Sequence, residues 1–262
     1  MEINLRPKNI LITGGGSGIG YAVAKRLLFA NARVIVAGRN EEKLQHAVSK
    51  LNSECYGGFI KYLVFDVADV KSHTAKIDEA QQIFGSHHLL DGLVQCAGVF
   101  FHAGGWKGFN VSEEDYDQIM NTNLKGPFFL MRNVVNYMVK ESIRGNVCNV
   151  ASMVEWQDTV GPYEMSKLAF SRITKTYGKH LGDFGIILNG VSPGIVKSDM
   201  LPLPGITDGV EPGGQLVNAS IKRAMRPEEI AESVFFLLTN VGETFSGSMI
   251  LQTGGSKVMW IG

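Results

Sequence analysis

The sequence predicts an α/β fold in which helices cover both faces of a doubly wound, seven-stranded parallel sheet. Short β-branched runs alternate with helix-length segments, and these runs are apolar almost throughout. Such runs are typical of strands that are buried on both faces, as in sheets made of βαβ units. The 262 residues lie near the upper end of what one hydrophobic core holds, so we expect a single domain over residues 1–262.

Seven runs are predicted to form the strands, and segments with helical periodicity separate them. The predicted strands are Asn9–Thr13, Arg33–Ala37, Ile60–Phe65, Leu90–Gln95, Asn146–Val150, Ile186–Val191 and Ser248–Gln252. The segments Tyr21–Ala30 and Glu42–Leu51 are predicted to be helices. The regular alternation of the two element types favours parallel strands joined by helical crossovers.

Prolines and capping residues indicate where other helices begin or end. Ser112 and Asp115 resemble a capping pair that opens a helix through Met120, and Pro127 is expected to interrupt that helix. Pro227 is suited to the first turn of a later helix. Residues 199–215 are rich in proline and glycine and too long for an ordinary connection, which predicts a substrate loop.

The composition excludes several classes of partner. Lys and Arg total 25, as do Asp and Glu, so no net charge attracts nucleic acid or an anionic membrane. The three cysteines are far apart and lack metal-site spacing, which predicts free thiols in a reducing compartment and no metal site. The sequence shows no signal-peptide pattern and no apolar run near the roughly 20 residues that span a bilayer, so we expect a cytoplasmic location.

A glycine-rich loop joins the first predicted strand to the first helix. It reads Thr13-Gly14-Gly15-Gly16-Ser17-Gly18-Ile19-Gly20. At such a place, backbone N–H groups and the helix N-terminus bind the pyrophosphate of a dinucleotide. The spacing is G-x-x-x-G-x-G instead of G-x-G-x-x-G, so the loop alone is also compatible with a tight turn that binds no ligand.

Two residues near the ends of the next strands bear on the choice of cofactor. An acidic residue about 20 positions after the loop binds the ribose hydroxyls of NAD, whereas an arginine accommodates the 2′-phosphate of NADP. Arg39 stands at this place and favours NADP over NAD, the alternative being a solvated loop residue. Asp66 follows the third strand and is suited either to bind an adenine amino group or to cap a turn.

A tyrosine and a lysine share one helical face after the fifth predicted strand. Tyr163 and Lys167 are at positions i and i+4, which places the phenol beside the ammonium. Because a nearby positive charge favours the phenolate, Lys167 is expected to lower the pKa of Tyr163. Ser152 ends the fifth strand, where ligands bind in open α/β sheets, and is either a donor to a carbonyl oxygen or a turn serine.

Together and in this order, the motifs resemble those of the short-chain dehydrogenase/reductase family over essentially the whole chain. The matching residues are Thr13-Gly14-x-x-x-Gly18-Ile19-Gly20, Asp66-Val67, Ala97-Gly98, Asn123-Leu124, Asn149-Val-Ala-Ser152, Tyr163-x-x-x-Lys167 and Pro193-Gly194. The resemblance implies a Rossmann fold, a nicotinamide cofactor, a ketone or secondary alcohol as substrate, and a homo-oligomer of two or four subunits. The chain departs from the family at Gln95-Cys96, where asparagines are usual.

The resemblance also implies roles for individual residues. Tyr163 is the general acid in reduction and the base in oxidation, and Ser152 polarises the carbonyl. Lys167 also contacts the nicotinamide ribose, and Asn123 holds a water that relays protons to Lys167. The residues expected to bind the cofactor are Gly14, Gly16, Ser17, Gly18, Ile19, Gly20, Arg39, Asp66, Val67, Ala97, Gly98, Tyr163, Lys167, Pro193, Gly194, Val196 and Ser198.

The loops around the expected nicotinamide site carry mainly apolar residues. Those predicted to contact substrate are Phe100, Val154, Trp156 and Met200, with His102 and Leu201 on the same loops. They favour an apolar or ring-bearing small molecule, the alternative for each residue being simple packing. A catalytically inactive cofactor-binding regulatory protein is the competing hypothesis, but the intact Ser152, Tyr163 and Lys167 favour an enzyme.

Overall fold

The computed structural model describes residues 2–101, 106–156, 160–198 and 219–256. Its strands are β1 (Asn9–Thr13), β2 (Arg33–Gly38), β3 (Ile60–Val64), β4 (Gly92–Gln95), β5 (Asn146–Val150), β6 (Ile187–Pro193) and β7 (Met249–Gln252). They form one seven-stranded sheet in the order β3-β2-β1-β4-β5-β6-β7, and every neighbouring pair is parallel. The predicted doubly wound sheet is therefore confirmed.

The strand bounds agree with the sequence prediction to within one or two residues. β1 and β5 have the predicted bounds, whereas β4 begins at Gly92 instead of Leu90. The backbone N–H of Leu90 donates to the side chain of Gln81, and the carboxylate of Asp91 accepts from the backbone N–H of Asn9. These side-chain hydrogen bonds hold the two residues at the entry to β4, where the backbone of Asp91 already bonds to Asn9 and Asn146.

Helices cover both faces of the sheet. They are α1 (Gly18–Leu28), α2 (Glu41–Glu54), α3 (His73–Phe84), α4 (Trp106–Phe109), α5 (Glu113–Met120), α6 (Gly126–Lys140), α7 (Pro162–Tyr177) and α8 (Pro227–Leu237). Short 3₁₀ turns occur at Val70–Ser72, Met153–Trp156, Leu181–Phe184 and Gly242–Phe245. One apolar core lies between the sheet and α1, α2 and α8, and a second lies between the sheet and α3 and α6.

The proline predicted to interrupt a helix does so. Ser112 caps α5 by accepting the backbone N–H of Asp115, and a π-helical turn, Asn121–Lys125, separates α5 from α6. Pro127 lies in the first turn of α6. Because proline has no N–H, the α-helical hydrogen bond from residue 127 to the carbonyl of Asn123 cannot form, and the ladder shifts to wider turns at this point.

Two predictions differ from the structure or cannot be compared with it. The first helix begins at Gly18, three residues before the predicted Tyr21, and its N-cap residue Ser17 has an extended backbone and makes no side-chain capping hydrogen bond. The predicted substrate loop at 199–215 lies outside the described residues. In the part of the chain that the structure describes, none of the helices is long and apolar enough to cross a membrane.

Candidate active site

The glycine-rich loop lies at the carboxyl end of β1, where the strand order reverses between β1 and β4. Gly14 has a φ of 69°, and a Cβ there would lie 2.7 Å from the backbone nitrogen of Ala97. A side chain at Gly20 would collide with the carbonyl oxygen of Gly14. Only glycine allows α1 to start this close to β1, which leaves the backbone of the loop accessible at the crevice.

A cavity of about 140 Å³ opens beside this loop. It is lined by Gly14, Ala37, Gly38, Arg39, Phe65, Asp66, Val67, Ala97, Gly98 and Thr122. Arg39 is exposed, and no ion pair or side-chain hydrogen bond joins it to another of the described residues. Asp66 accepts the backbone N–H of Ala68 through Oδ1, so it makes the turn considered from the sequence and also borders the cavity.

A second cavity, of about 320 Å³, lies further along the same edge of the sheet and shares Gly98 with the first. It is lined by Ile19, Cys96, Gly98, Phe100, Val150, Ala151, Ser152, Met153, Val154, Tyr163, Lys167, Pro193, Gly194, Ile195, Val196 and Ser198. The folding of the chain thus brings together the ends of β4, β5 and β6 and the first turns of α1 and α7. Most of this lining is apolar, and its polar groups are concentrated at Ser152, Tyr163 and Lys167.

Tyr163 is the second residue of α7 and lines this cavity. Its ring packs edge to face against Phe100, with ring centres 4.8 Å apart. Burial raises the pKa of Tyr163 above its usual value, while the hydrogen bond with Ser152 lowers it. The predicted lowering by Lys167 is therefore not what this structure shows, because the loss of solvation around the phenol is the largest influence on its pKa and the charge of Glu164 acts in the same direction.

Lys167 is buried one helical turn after Tyr163. Its ammonium donates to the backbone carbonyl of Val150 at 3.2 Å, and burial lowers the pKa of Lys167 to about 8. Cys96 stands close enough to interact electrostatically with this lysine, but burial raises the pKa of the Cys96 thiol to about 12. Cys96 is thus a neutral thiol at physiological pH, and Lys167 is the cation of the site.

Asn123, in the π-helical turn, is fully buried and its side chain is already bonded within the protein. Its Oδ1 accepts the backbone N–H of Val99 and its Nδ2 donates to the carbonyl of Val99, both at 2.8 Å. Nδ2 also lies 3.4 Å from the hydroxyl of Ser166. The side chain therefore fixes the segment after β4 against α7, a role that the sequence did not indicate.

The structure brings most of the sequence-predicted residues to these two cavities, but some lie elsewhere. The predicted residues that line neither cavity are Gly16, Ser17, Gly18, Gly20 and Asn123. Trp156 also lies outside the lining, and its ring packs under the ammonium of Lys175 at 4.6 Å. Met200, His102 and Leu201 fall outside the described residues.

Several lining residues were not singled out from the sequence. Gly38, Phe65 and Thr122 line the smaller cavity, and Met153 and Ile195 line the larger one. Each stands next to a predicted residue. All except Thr122 also lie at or just after the end of a strand, and this position is the sequence signal that would have found them. Thr122 is not near a strand end, and only the packing of the π-helical turn brings it to the crevice.

The residues present fit a nicotinamide dinucleotide. The glycine loop offers backbone N–H groups at the N-terminus of α1, a place that binds pyrophosphate. The two cavities extend from this loop in both directions along the sheet edge, one toward Arg39 and the other toward Tyr163. A cofactor with a nucleoside at each end of a pyrophosphate matches that arrangement.

Comparisons with known proteins agree with this geometry. Residues 8–203 match the short chain dehydrogenase family. The chain is 28% identical to the 3-oxoacyl-(acyl-carrier-protein) reductase FabG of Chlamydia pneumoniae, over 97% of this chain and 99% of that protein. Two solved structures are also similar, and both are 26% identical to this chain.

The first is a short-chain type dehydrogenase/reductase from Mycobacterium ulcerans, with a TM-score of 0.84 over 97% of this chain and 90% of that one. The second is a short chain dehydrogenase from Burkholderia cenocepacia in complex with NADP, with a TM-score of 0.81 over 97% and 99%. The chain belongs to the short-chain dehydrogenase/reductase family and is an NAD(P)-dependent oxidoreductase.

Proposed function

We propose that this protein reduces a ketone to a secondary alcohol, or the reverse, with NADP(H) and an apolar or ring-bearing small-molecule substrate. The observation that carries the proposal is that Ser152, Tyr163 and Lys167 line one cavity, in which Ser152 interacts with the Tyr163 phenol and lowers its pKa. A phenol, a second hydroxyl and a buried cation at one carbonyl-sized position are what carbonyl reduction requires.

The cofactor, when bound, supplies or accepts the hydride. In the direction of reduction, Tyr163 donates its proton to the carbonyl oxygen, and Ser152 donates a hydrogen bond to the same oxygen as negative charge develops. The ammonium of Lys167 then stabilises the phenolate that Tyr163 becomes. In oxidation the same groups act in reverse, with the Tyr163 phenolate as the base.

Asn123 is proposed to hold the water that relays protons to Lys167. Because its side chain is bonded to Val99 and Ser166, the main-chain carbonyl is the group left for such a water. Pro127 supports this assignment, since no α-helical hydrogen bond from residue 127 reaches that carbonyl.

The preference for NADP over NAD is proposed from Arg39. Its exposed guanidinium borders the smaller cavity, and the structure gives it no competing ion pair among the described residues. A guanidinium binds a phosphate by charge-assisted hydrogen bonds, which the ribose of NAD lacks. The NADP complex of the Burkholderia cenocepacia relative supports the same choice.

The substrate class is proposed from the cavity around Tyr163. Phe100, Met153, Val154 and Ile195 line it, and no described residue in the lining apart from Lys167 carries a charge. Such a lining favours an apolar or ring-bearing ketone over a small charged acid. The relative named as a 3-oxoacyl-(acyl-carrier-protein) reductase adds 3-oxoacyl thioesters to the compounds worth testing.

The test is a screen of ketones, 3-oxoacyl thioesters and secondary alcohols in which NADPH absorbance is followed. We expect turnover of apolar or cyclic ketones with NADPH, and a lower kcat/KM for small keto acids. A protein that binds NADPH but turns over none of the compounds would contradict the proposal. Light scattering at the assay concentration would test the homo-oligomer of two or four subunits that we also propose, which exposed Met165 and Leu168 on α7 support.

A further inference from the structure

Glu155 is a buried carboxylate beside the larger cavity, although it does not line it. It lies in the 3₁₀ turn Met153–Trp156 directly after Ser152, and its side chain is only 1% exposed. Burying a carboxylate is unfavourable unless other groups compensate it. Only one of its two carboxylate oxygens has hydrogen-bond donors nearby. The other, Oε2, is buried without a hydrogen-bond partner among the described residues. A carboxylate kept in this environment calls for a reason beyond packing.

The compensated oxygen, Oε1, joins three elements of the site. It accepts the hydroxyl of Ser192 at 2.7 Å and the indole N–H of Trp156 at 2.7 Å, and it lies 4.0 Å from the ammonium of Lys175. Ser192 is in β6, immediately before the Pro193-Gly194 segment of the cavity. Lys175 is two turns after Lys167 on α7. One oxygen thus contacts the elements that carry Ser152, Pro193 and Lys167.

The contact with Ser192 lies where the sheet no longer holds the two segments together. The backbone N–H of Ala151 donates to the carbonyl of Val191, and beyond that point β6 pairs with β7 through Pro193 and Gln252. The turn with Ser152 and the segment with Pro193 therefore diverge from the ladder that joins β5 to β6. The Glu155–Ser192 hydrogen bond spans the two segments just above that divergence.

We propose that Glu155 is a positioning residue that fixes the Ser152 turn relative to the Pro193–Val196 segment through its hydrogen bond with Ser192. The inference rests on the proposed function, in which Ser152 contacts the substrate carbonyl, and on the expectation that Pro193, Gly194 and Val196 bind the cofactor. Fixing these two segments sets the distance and orientation between the substrate carbonyl and the nicotinamide, although Glu155 itself contacts neither of them. A displacement of about 1 Å between reacting groups lowers the rate of reaction by about 10²-fold.

The decisive variant is Ser192→Ala, which removes one hydroxyl and leaves the Glu155 carboxylate in place. The matched control is Ser171→Ala, because Ser171 is also a buried serine and its hydroxyl has no hydrogen-bond partner among the described residues. We expect Ser192→Ala to lower kcat about tenfold, with NADPH Kd and substrate KM changed far less. Ser171→Ala is expected to retain the wild-type kcat.

Changes at Glu155 test the same contact from the other side. Glu155→Ala is expected to lower kcat at least as much as Ser192→Ala, since it also removes the contacts with Trp156 and Lys175. The double variant is expected to have the same kcat as Glu155→Ala, because both single variants remove the Glu155–Ser192 hydrogen bond. Glu155→Gln keeps an oxygen acceptor and is expected to retain most of the activity. The primary isotope effect with deuterated NADPH should rise in Ser192→Ala, as hydride transfer becomes slower relative to the other steps.

Amide hydrogen exchange of the protein without cofactor provides a readout that does not depend on turnover. Ser192→Ala should accelerate exchange several-fold in peptides that cover residues 151–156 and 192–196, and leave peptides of β2 and β3 unchanged. If Ser192→Ala matches Ser171→Ala in both kcat and exchange, the positioning role is wrong. A wild-type protein that turns over no carbonyl compound would instead contradict the proposed function, while exchange would still decide the role of Glu155.

Discussion

The ammonium nitrogen of Lys167 lies 5.8 Å from the centre of the Tyr163 ring, and both residues border one cavity at the carboxyl edge of the sheet. The pKa values of the two groups shift in opposite directions, since burial raises the pKa of Tyr163 and lowers that of Lys167. At neutral pH the site thus holds a protonated phenol next to an ammonium whose pKa is lowered. The role of each residue can be tested by substituting Tyr163 and Lys167 one at a time.

Tyr163→Phe should remove most of the turnover and leave cofactor binding intact. The variant loses only the hydroxyl, so the proton that reaches the carbonyl oxygen has no donor, and kcat should fall by about 10²- to 10⁴-fold. Steady-state kinetics and NADPH fluorescence titration would measure the two effects. Tyr177→Phe, on the exposed end of the same helix, is the matched control and should keep the wild-type kcat. Unchanged turnover in Tyr163→Phe would exclude its role as the acid.

Lys167→Met should abolish activity and at the same time stabilise the protein without cofactor near neutral pH. The folded pKa of about 8 lies below the ordinary value of 10.5, so the unfolded chain binds more protons between these two values. Stability of the wild type therefore rises with pH across that window, and Lys167 costs roughly 3 kcal/mol below it.

Denaturant unfolding of wild type and Lys167→Met at pH 7 and pH 10 would measure this difference. The gap in the free energy of unfolding should be largest at pH 7 and shrink at pH 10, when the wild-type lysine has lost its proton. A variant that is less stable than the wild type at pH 7 would show that the ammonium is well compensated in the folded protein.

Glu164→Gln should lower the pKa of Tyr163. Glu164 is buried next to the tyrosine, and its negative charge is one of the causes that raise this pKa. Alcohol oxidation requires the phenolate, so kcat/KM for oxidation rises with pH until Tyr163 is deprotonated. The acidic limb of that profile should move to lower pH in Glu164→Gln. Glu42→Gln, on the exposed start of α2, should leave the profile in place, and a shift toward higher pH in Glu164→Gln would contradict the electrostatic explanation.

Arg39→Ala should lower kcat/KM for NADPH and leave kcat/KM for NADH nearly unchanged. Loss of charge-assisted hydrogen bonds to a phosphate corresponds to about a 10- to 100-fold fall in kcat/KM for NADPH. Parallel assays with both cofactors would give the ratio directly. Equal effects on the two cofactors would show that Arg39 does not contact the 2′-phosphate.

The sequence was sufficient to predict the features that depend on residues close together along the chain. Apolar runs such as those of β1 and β5 predict buried parallel strands, and the i, i+4 spacing predicts that Tyr163 and Lys167 share a face. Pro127 predicts the interruption of its helix because the missing N–H acts within one turn. These properties require only neighbouring residues.

The tertiary structure decided what depends on burial and on contacts distant in sequence. The direction of the Tyr163 pKa follows from the loss of solvent around the phenol, which spacing alone does not measure. The bonds of Asn123 with Val99 join residues 24 positions apart, and that of Glu155 with Ser192 joins residues 37 apart. Solvation and long-range hydrogen bonding are properties of the packed chain, because they exist only when distant segments exclude water from one another.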